Sequence, residues 1–403
     1  MKPLSITCFT ATSCLGHGSA ATLEALRQQR SGLARCTFET VDVPTYVGEV
    51  AGVDAVKLPA GLDEFNCRNN RLAYLGLTQD GFVECVAAAI ERWGSRRIGV
   101  FLGTSTSGIL ESEVAYRHRD PTTGALPAEL NYSATHNAFS VAHFVRQLLH
   151  LQGPSAVVCS ACSSSAKVFG TARRMIEAGV IDAAVVGGVD SLCLTTLYGF
   201  HALQLTSAKA CRPFDLARDG ISISEAAAFA LLERAPCGAE TSGIELLGVG
   251  ESSDAYHMSS PHPLGIGARA AMIHALSSAG LAAHQIDYIN LHGTGTQSND
   301  SSESRAVSGL FAADTACSST KGATGHALGA AGALEAVICA LSLQHQFIPA
   351  GLNVTQLEPA LGIRYLSKNR TARLTRVLSN SFGFGGTNCS LVFGRSPLAA
   401  PKS

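Results

Sequence analysis

A strand that runs into a small-residue turn around one cysteine, and then into a helix, constrains this chain more than any other stretch. The run Val157-Val158-Cys159-Ser160-Ala161-Cys162-Ser163-Ser164-Ser165 starts in a β-branched, apolar segment, Ser155 to Cys159, that reads as a buried strand. The segment from Ser163 to Ala178 reads as a helix ended by Gly179, because Phe169, Ala172 and Ile176 are three and four apart and share one face. Small residues on both sides of Cys162 permit a sharp turn that sets its thiol at the helix N-terminus. Unpaired N–H groups and the positive end of the helix dipole favour a thiolate there. The stretch therefore predicts a nucleophilic cysteine activated without a metal. A free cysteine more commonly just packs as a small hydrophobe, so the choice rests on the rest of the chain.

The 403 residues suffice for a large core and, on length, for two or three domains. A net charge of -1 with 15% charged residues points to neither nucleic acid nor an anionic membrane surface. The forty glycines fall in tight clusters between apolar runs, as loops around a site require. No secretory leader pattern opens the chain and no apolar run reaches membrane-spanning length. Thirteen cysteines, an odd number without a framework, read as reduced thiols in a cytoplasmic protein. Cys159 and Cys162 form a Cys-x-x-Cys pair, but nothing follows at zinc-site spacing, so no metal is expected.

Residues 4–9 read as a first strand, 32–66 as a surface excursion, and about 69–93 as one helix leading into the strand 97–102. The loop Gly103-Thr104-Ser105-Thr106-Ser107-Gly108 follows, then the cysteine strand and helix, then a buried strand from Ala183 to Val186. This alternation implies parallel βαβ units with both sheet faces covered. The second half repeats the plan: a strand 287–291 runs into His292-Gly293-Thr294-Gly295-Thr296, helices cover about 302–310 and 327–345, and two strands close the chain. The order of elements divides the chain into 1–240 and 241–395, with a mobile tail from 396 to 403. Cys162, His292 and His326 recur at strand-to-helix junctions framed by small residues, where ligands gather in open α/β sheets. A single histidine is usually structural; two in matching glycine-framed loops, with a thiol in a third, are not readily dismissed.

The matching blocks now identify a family. Cys162-Ser163-Ser164-Ser165, Arg212-Pro213-Phe214-Asp215, Ser253 to Met258, His292 to Thr296, Asn299-Asp300-x-x-Glu303, Lys321 to His326 and Ser379 to Asn388 resemble, in order, the β-ketoacyl-[acyl carrier protein] synthases. The resemblance is to the elongating enzymes of fatty-acid and type II polyketide synthesis, and within them to the aryl polyene branch. It implies an α/β thiolase-like fold of two duplicated βαβαβ halves in α-β-α-β-α layers. It also implies a ping-pong decarboxylative Claisen condensation between an acyl group on Cys162 and a malonyl group, both delivered by an acyl carrier protein. The family's pattern gives His292 and His326 the developing enolate, and the backbone N–H groups of Cys162 and Phe384 the acyl oxyanion. Lys321 is implied as a supporting catalytic residue paired with Glu335, a carboxylate in an apolar run that needs a partner. Thr294 and Thr296 resemble the hydroxyls that bind pantetheine amides, Phe384 the aromatic gate, and Gly385 part of that substrate-contacting loop. Asp300 and Glu303 are expected to cap the helix from Ser302 and order its loop.

Two departures stand out. Ser224-Glu225-Ala226-Ala227 replaces the family's Gly-Glu-Gly-Ala. At the expected floor of the acyl pocket Thr106 stands where a large aliphatic residue is usual, which argues for an acyl chain other than a plain saturated one. The family implies no cofactor on the enzyme, the phosphopantetheine being the carrier's, and a dimer, either with itself or with a chain-length factor. Arg68 and Arg71, a helical turn apart, are candidate contacts to the carrier. Alternatives are a non-catalytic chain-length factor, disfavoured by the full Cys-His-His set, and a housekeeping fatty-acid synthase. A starter-unit synthase or thiolase acting on coenzyme A thioesters is disfavoured by the second histidine, and a cysteine protease by the absence of an orienting Asn or Asp.

Overall fold

The structure, a computed structural model, describes residues 2–234 and 243–395; the expected mobile tail lies outside them. Among the described residues the main sheet has twelve strands, a short one at Gly16–His17 that only flanks the first and eleven in one continuous order: β1 Leu4–Ser13, β2 Ile98–Gly103, β3 Ser155–Val158, β4 Ala183–Asp190, β5 Ala226–Arg234, β6 Ile244–Ser253, β7 Tyr288–Asn290, β8 Ala316–Ser318, β9 Arg364–Tyr365, β10 Arg376–Gly383 and β11 Thr387–Arg395. Their order in space is β9-β8-β7-β10-β11-β6-β1-β5-β4-β2-β3.

That order is the same list read twice. Outward from the centre the first half runs β1, β5, β4, β2, β3, and the second runs β6, β11, β10, β7, β8, with the two-residue strand β9 added at its edge. Leaving β9 aside, each is first, fifth, fourth, second, third in its own half. The halves join where β1 pairs antiparallel with β6, Leu4 opposite Leu246. Within each half the parallel strands are β3-β2-β4 and β9-β8-β7-β10. The last strand of each half returns antiparallel, so the sheet is mixed where the alternation of elements predicts parallel units throughout. β2 (Ile-Gly-Val-Phe-Leu-Gly) is buried at every position, on both faces, whereas β3 at the edge is half-buried.

Two helices, Ser164–Glu177 and Ala331–His345, pack on each other and on strands of both halves. Every residue from Ala331 to Leu343 is buried. The segment Leu328–His345 is long and apolar enough to cross a bilayer, contrary to expectation, but 89% of it is buried inside the protein. Its lack of a polar face follows from having sheet on either side.

Other expectations need correction. Residues 32–66 are no surface excursion: Phe38, Val47, Val53 and Phe65 are core, and Tyr46–Gly48 pairs with Ile223–Ser224. The single helix over 69–93 is two, Arg68–Leu77 and Phe82–Trp93, broken where Asp80 and Gly81 take positive φ. Cys8 of β1 is joined to Cys85 of the second of these as a disulfide, where reduced thiols were expected.

Replacing Ile338, fully buried between the halves, with alanine is expected to cost about 2–5 kcal/mol. Equilibrium denaturant unfolding against the parent checks it.

Candidate active site

The polar residues at the C-terminal ends of the inner parallel strands meet in one place. β3 ends four residues before Cys162, β7 ends beside His292, and β8 ends three residues before Lys321. The ligating atoms of Cys162, His292 and His326 all lie within 4.8 Å of one another. Their spacing in sequence conceals a Cys-His-His set that only the fold assembles.

The turn around Cys162 is tight. Ala161 holds φ +51, a left-handed conformation that costs a non-glycine residue about 1–3 kcal/mol and tips the next side chain into the cavity. The helix begins at Ser164, and burial rather than the helix dipole governs the thiol. Desolvation pushes Cys162 up to about 12, with Asp190 adding to the rise. The Lys321 ammonium and the N–H groups of Phe384 and Cys162 itself pull the other way. The resting group is a thiol, not the thiolate the sequence led us to expect. Those two N–H groups lie beside the sulfur, where the oxygen of an acyl group on Cys162 would need donors. Gly383 makes the approach possible, since a Cβ there would sit 2.8 Å from the Ser160 carbonyl oxygen.

Both imidazoles are buried, and desolvation first, then Lys321, holds them well below the usual histidine range. They meet edge to face, ring centres 5.2 Å apart. Lys321 Nζ donates to the His292 carbonyl oxygen, lies 3.4 Å from His292 Nδ1, and pairs with Glu335. An ammonium only donates, so Nδ1 accepts and the His292 proton sits on Nε2. Lys321 and Glu335 are 1% and 2% exposed, and burial raises Glu335 to about 7 against the pull of Lys321.

Asp300 and Glu303 lie inside the helix Gln297–Ser308 and do not cap it; the Thr296 hydroxyl accepts from Asn299 N instead. Glu303 accepts from His292 N and Gly293 N, both at 2.8 Å, and from Asn380 Nδ2. Asp300 accepts from Thr294 N, Gly295 N and Phe214 N. The expected loop-ordering role is thus carried by direct bonds to the loop backbone. Thr294 and Thr296 line the cavity, their hydroxyls 2.9 Å apart. Phe384 also lines it and packs on Phe200, centroids 5.5 Å apart, while the exposed Gly385 at φ +78 donates its N–H to the Met258 carbonyl oxygen.

Thr106 is not among the residues lining this cavity; it is fully buried and its hydroxyl donates to Asp190. Arg68 is 2% exposed, bonded to Glu225, Asp54 and Glu49, and so closed to a carrier protein. Sequence reading missed Asp190, a buried carboxylate whose only signal is a charge after an apolar run, and gave no role to Glu225, which it had noted only within a family block.

A thiol, two neutral imidazoles and two N–H groups in a buried cavity at duplicated strand ends define a condensing enzyme of the Cys-His-His type. Residues 1–236 match the family description "Beta-ketoacyl synthase, N-terminal domain" and 244–355 match "Beta-ketoacyl synthase, C-terminal domain". The chain belongs to the β-ketoacyl synthase family. It is 32% identical to 3-oxoacyl-[acyl-carrier-protein] synthase 2 of Coxiella burnetii, over 97% of this chain and 98% of that one. It is 40% identical to the mitochondrial 3-oxoacyl-[acyl-carrier-protein] synthase of Arabidopsis thaliana over 60% of this chain and 56% of the relative. Among solved structures it is similar to the ketosynthase ApeO in complex with its chain length factor ApeC from Xenorhabdus doucetiae. That likeness has a TM-score of 0.88 and 37% identity over 98% of each chain.

Lys321→Ala removes the cation that lowers the Cys162 thiol and leaves Glu335 buried without a partner. Iodoacetamide alkylation of Cys162, followed by intact mass across pH, is expected to slow and shift to higher pH. Unfolding free energy is expected to fall by about 3–5 kcal/mol, with the Lys321→Met/Glu335→Leu pair recovering most of it.

Proposed function

We propose that the chain extends acyl groups by two carbons, condensing a malonyl thioester with an acyl group carried on Cys162, both presented on the phosphopantetheine of an acyl carrier protein. The convergence of the Cys162 sulfur with both imidazoles and with two backbone N–H groups supports this reading. In the first half-reaction the sulfur attacks the carrier thioester, the two N–H groups hold the oxyanion, and the carrier thiol leaves with the cysteine proton. In the second, the malonyl carboxylate departs as carbon dioxide. The enolate oxygen this leaves accepts from the Nε2 proton of His292 and from His326. The enolate carbon then attacks the acyl-cysteine carbonyl and forms the new carbon–carbon bond, and collapse of the oxyanion expels the Cys162 thiolate, which takes up a proton from water. Lys321, paired with Glu335, fixes the His292 tautomer. Thr294 and Thr296 bind the pantetheine amides, and the Phe384–Gly385 segment opens for the second substrate. The enzyme itself needs no cofactor or metal for these steps.

The dimer we propose is a heterodimer with a chain-length factor. Its support is the likeness to ApeO, solved with such a subunit, and to the ishigamide ketosynthase/chain length factor, 26% identical over 98% of this chain at TM-score 0.88. The acyl group we propose is a conjugated aryl chain, with the same likeness to ApeO as support. The functional halves divide near residue 240.

Incubation with carriers bearing saturated or conjugated aryl chains, read by intact mass, is expected to give an acyl adduct that Cys162→Ala abolishes and that favours the conjugated chain. His326→Ala is expected to keep the adduct while slowing release of carbon dioxide from malonyl-carrier protein by about 10²–10³-fold. No adduct from any donor, alone or with the partner subunit, overturns the reading.

A further inference from the structure

We propose that Asp190 is a positioning residue that ties the cysteine and histidine arms of the site into one unit, holding the Thr104–Thr106 loop and the segment after His326 on one buried carboxylate. This rests on the reaction proposed above. Asp190 ends β4 and is fully buried, yet it does not line the substrate cavity. Its Oδ1 accepts from Thr104 Oγ1 at 2.7 Å, Ser105 N at 2.7 Å, Thr106 N at 2.9 Å and Thr106 Oγ1 at 3.0 Å. Its Oδ2 accepts from Gly329 N at 2.5 Å, three residues beyond His326. Burial alone disfavours such a carboxylate, and the five donors on it explain why it persists.

Each segment it grips leads to a reacting group. Thr104 N donates to the carbonyl oxygen of Val158, four residues before Cys162. A Cβ on Gly103 would sit 2.3 Å from Ser165 N, so the loop lies directly on the helix that follows the nucleophile. On the other side the His326 backbone is held by Ser222 and Ser224 alone, His326 N donating to the Ser222 carbonyl oxygen and Ser224 N to that of His326. Gly329 supplies the side-chain tie on the far side of His326, and its fit is close: a Cβ there would meet Ser105 Oγ at 2.6 Å and Asp190 Oδ2 at 2.8 Å. Thr106 acquires a reason as well. Its hydroxyl donates to Asp190 and accepts from Ser191 N at 3.1 Å, a pairing no aliphatic residue can make.

Asp190 also places a negative charge against the positive one of Lys321 at the nucleophile, raising the thiol that Lys321 lowers. The other groups facing that sulfur are the neutral imidazoles of His292 and His326, while the Glu335 charge is taken up by Lys321.

Asp190→Asn keeps the size, removes the charge and puts a donor where Gly329 N or the loop needs an acceptor. Three readouts separate positioning from general structure: carbon dioxide release from malonyl-carrier protein, the pH profile of Cys162 alkylation, and thermal unfolding. Decarboxylation is expected to fall about tenfold or more and the alkylation profile to move to lower pH. Asp190→Glu, which keeps the charge but not the reach, is expected to lose decarboxylation with the alkylation profile unmoved. Parental decarboxylation and alkylation profile in Asp190→Asn overturn the proposal. If that variant does not fold, Thr106→Val carries the test: about a threefold loss of decarboxylation is expected, and no loss overturns it. A parent enzyme that releases no carbon dioxide overturns the reaction itself, which is a different failure.

Discussion

Lys321 brings an ammonium group into the interior, and most of the site follows from what that requires. A buried charge is tolerated only with a partner and satisfied hydrogen bonds. The partner, Glu335, stands on a helix otherwise apolar from Ala331 to Leu341, and the remaining donors turn to the His292 carbonyl oxygen and Nδ1. The same dryness that makes the pair obligatory leaves the three reacting groups uncharged, with Cys162 as thiol and both histidines as imidazole. The trio therefore carries no charge until a substrate develops one. Negative charge then forms beside a fixed cation and fixed N–H donors in low dielectric, where each is worth far more than in water and needs no reorganisation.

What was legible in the sequence was local. Strand, small-residue turn and helix around Cys162 are read from apolar periodicity, and the fold keeps them as Ser155–Val158 and Ser164–Glu177. His292 and His326 declare themselves through glycine-framed loops, and the family resemblance extends to the Lys321–Glu335 pair. The misses are those in which tertiary contact decides. A free-helix argument made Cys162 a thiolate, and burial reversed it. Charge at helical spacing made Arg68 a surface residue, and four acidic partners around it drew it inside. Spacing along the chain argued against a metal-type donor set, although Cys162, His292 and His326 come from separate strand ends and meet only once the sheet is built. Asp300 and Glu303 look like capping residues because the helix start was placed five residues late.

The departure at Ser224–Ala227 shows how such a miss is repaired within the fold. The family keeps glycines on either side of the acidic residue; here both carry side chains. Space is returned from the other partners: a Cβ on Gly48 or on Gly325 would come within 2.6 or 2.7 Å of the Ser224 Cβ. The glycines at these facing positions leave room for the Ser224 side chain. The acidic residue itself is kept, and Glu225 accepts from Arg68 Nε and Nη2, Val50 N and Leu192 N. This clamp holds the strand whose Ser222 and Ser224 carry the His326 backbone, so a charge network distant from the chemistry still sets where one imidazole stands.

The cavity bounded by these groups is small, about 50 Å³, room for a few waters and not for an acyl chain with its carrier arm. Something at its wall must yield, and the wall is uneven. Cys162, His292 and His326 are buried in hydrogen-bonded junctions, and shifting them would break ion pairs and backbone bonds inside the core. Phe384 differs: half-buried, it is followed by Gly385 and Gly386, both at positive φ, where no side chain resists a change of backbone angle. No Cβ contact confines Gly385 within 4 Å, whereas Gly386 packs on Asp254. The low-cost movement is therefore a swing of the Phe384–Gly385 segment about Gly386, away from Phe200. The Phe384 N–H lies beside the Cys162 sulfur, so that swing would carry a donor away from it. On the proposed reading, opening for a substrate and stabilising its oxyanion are exclusive states of one loop.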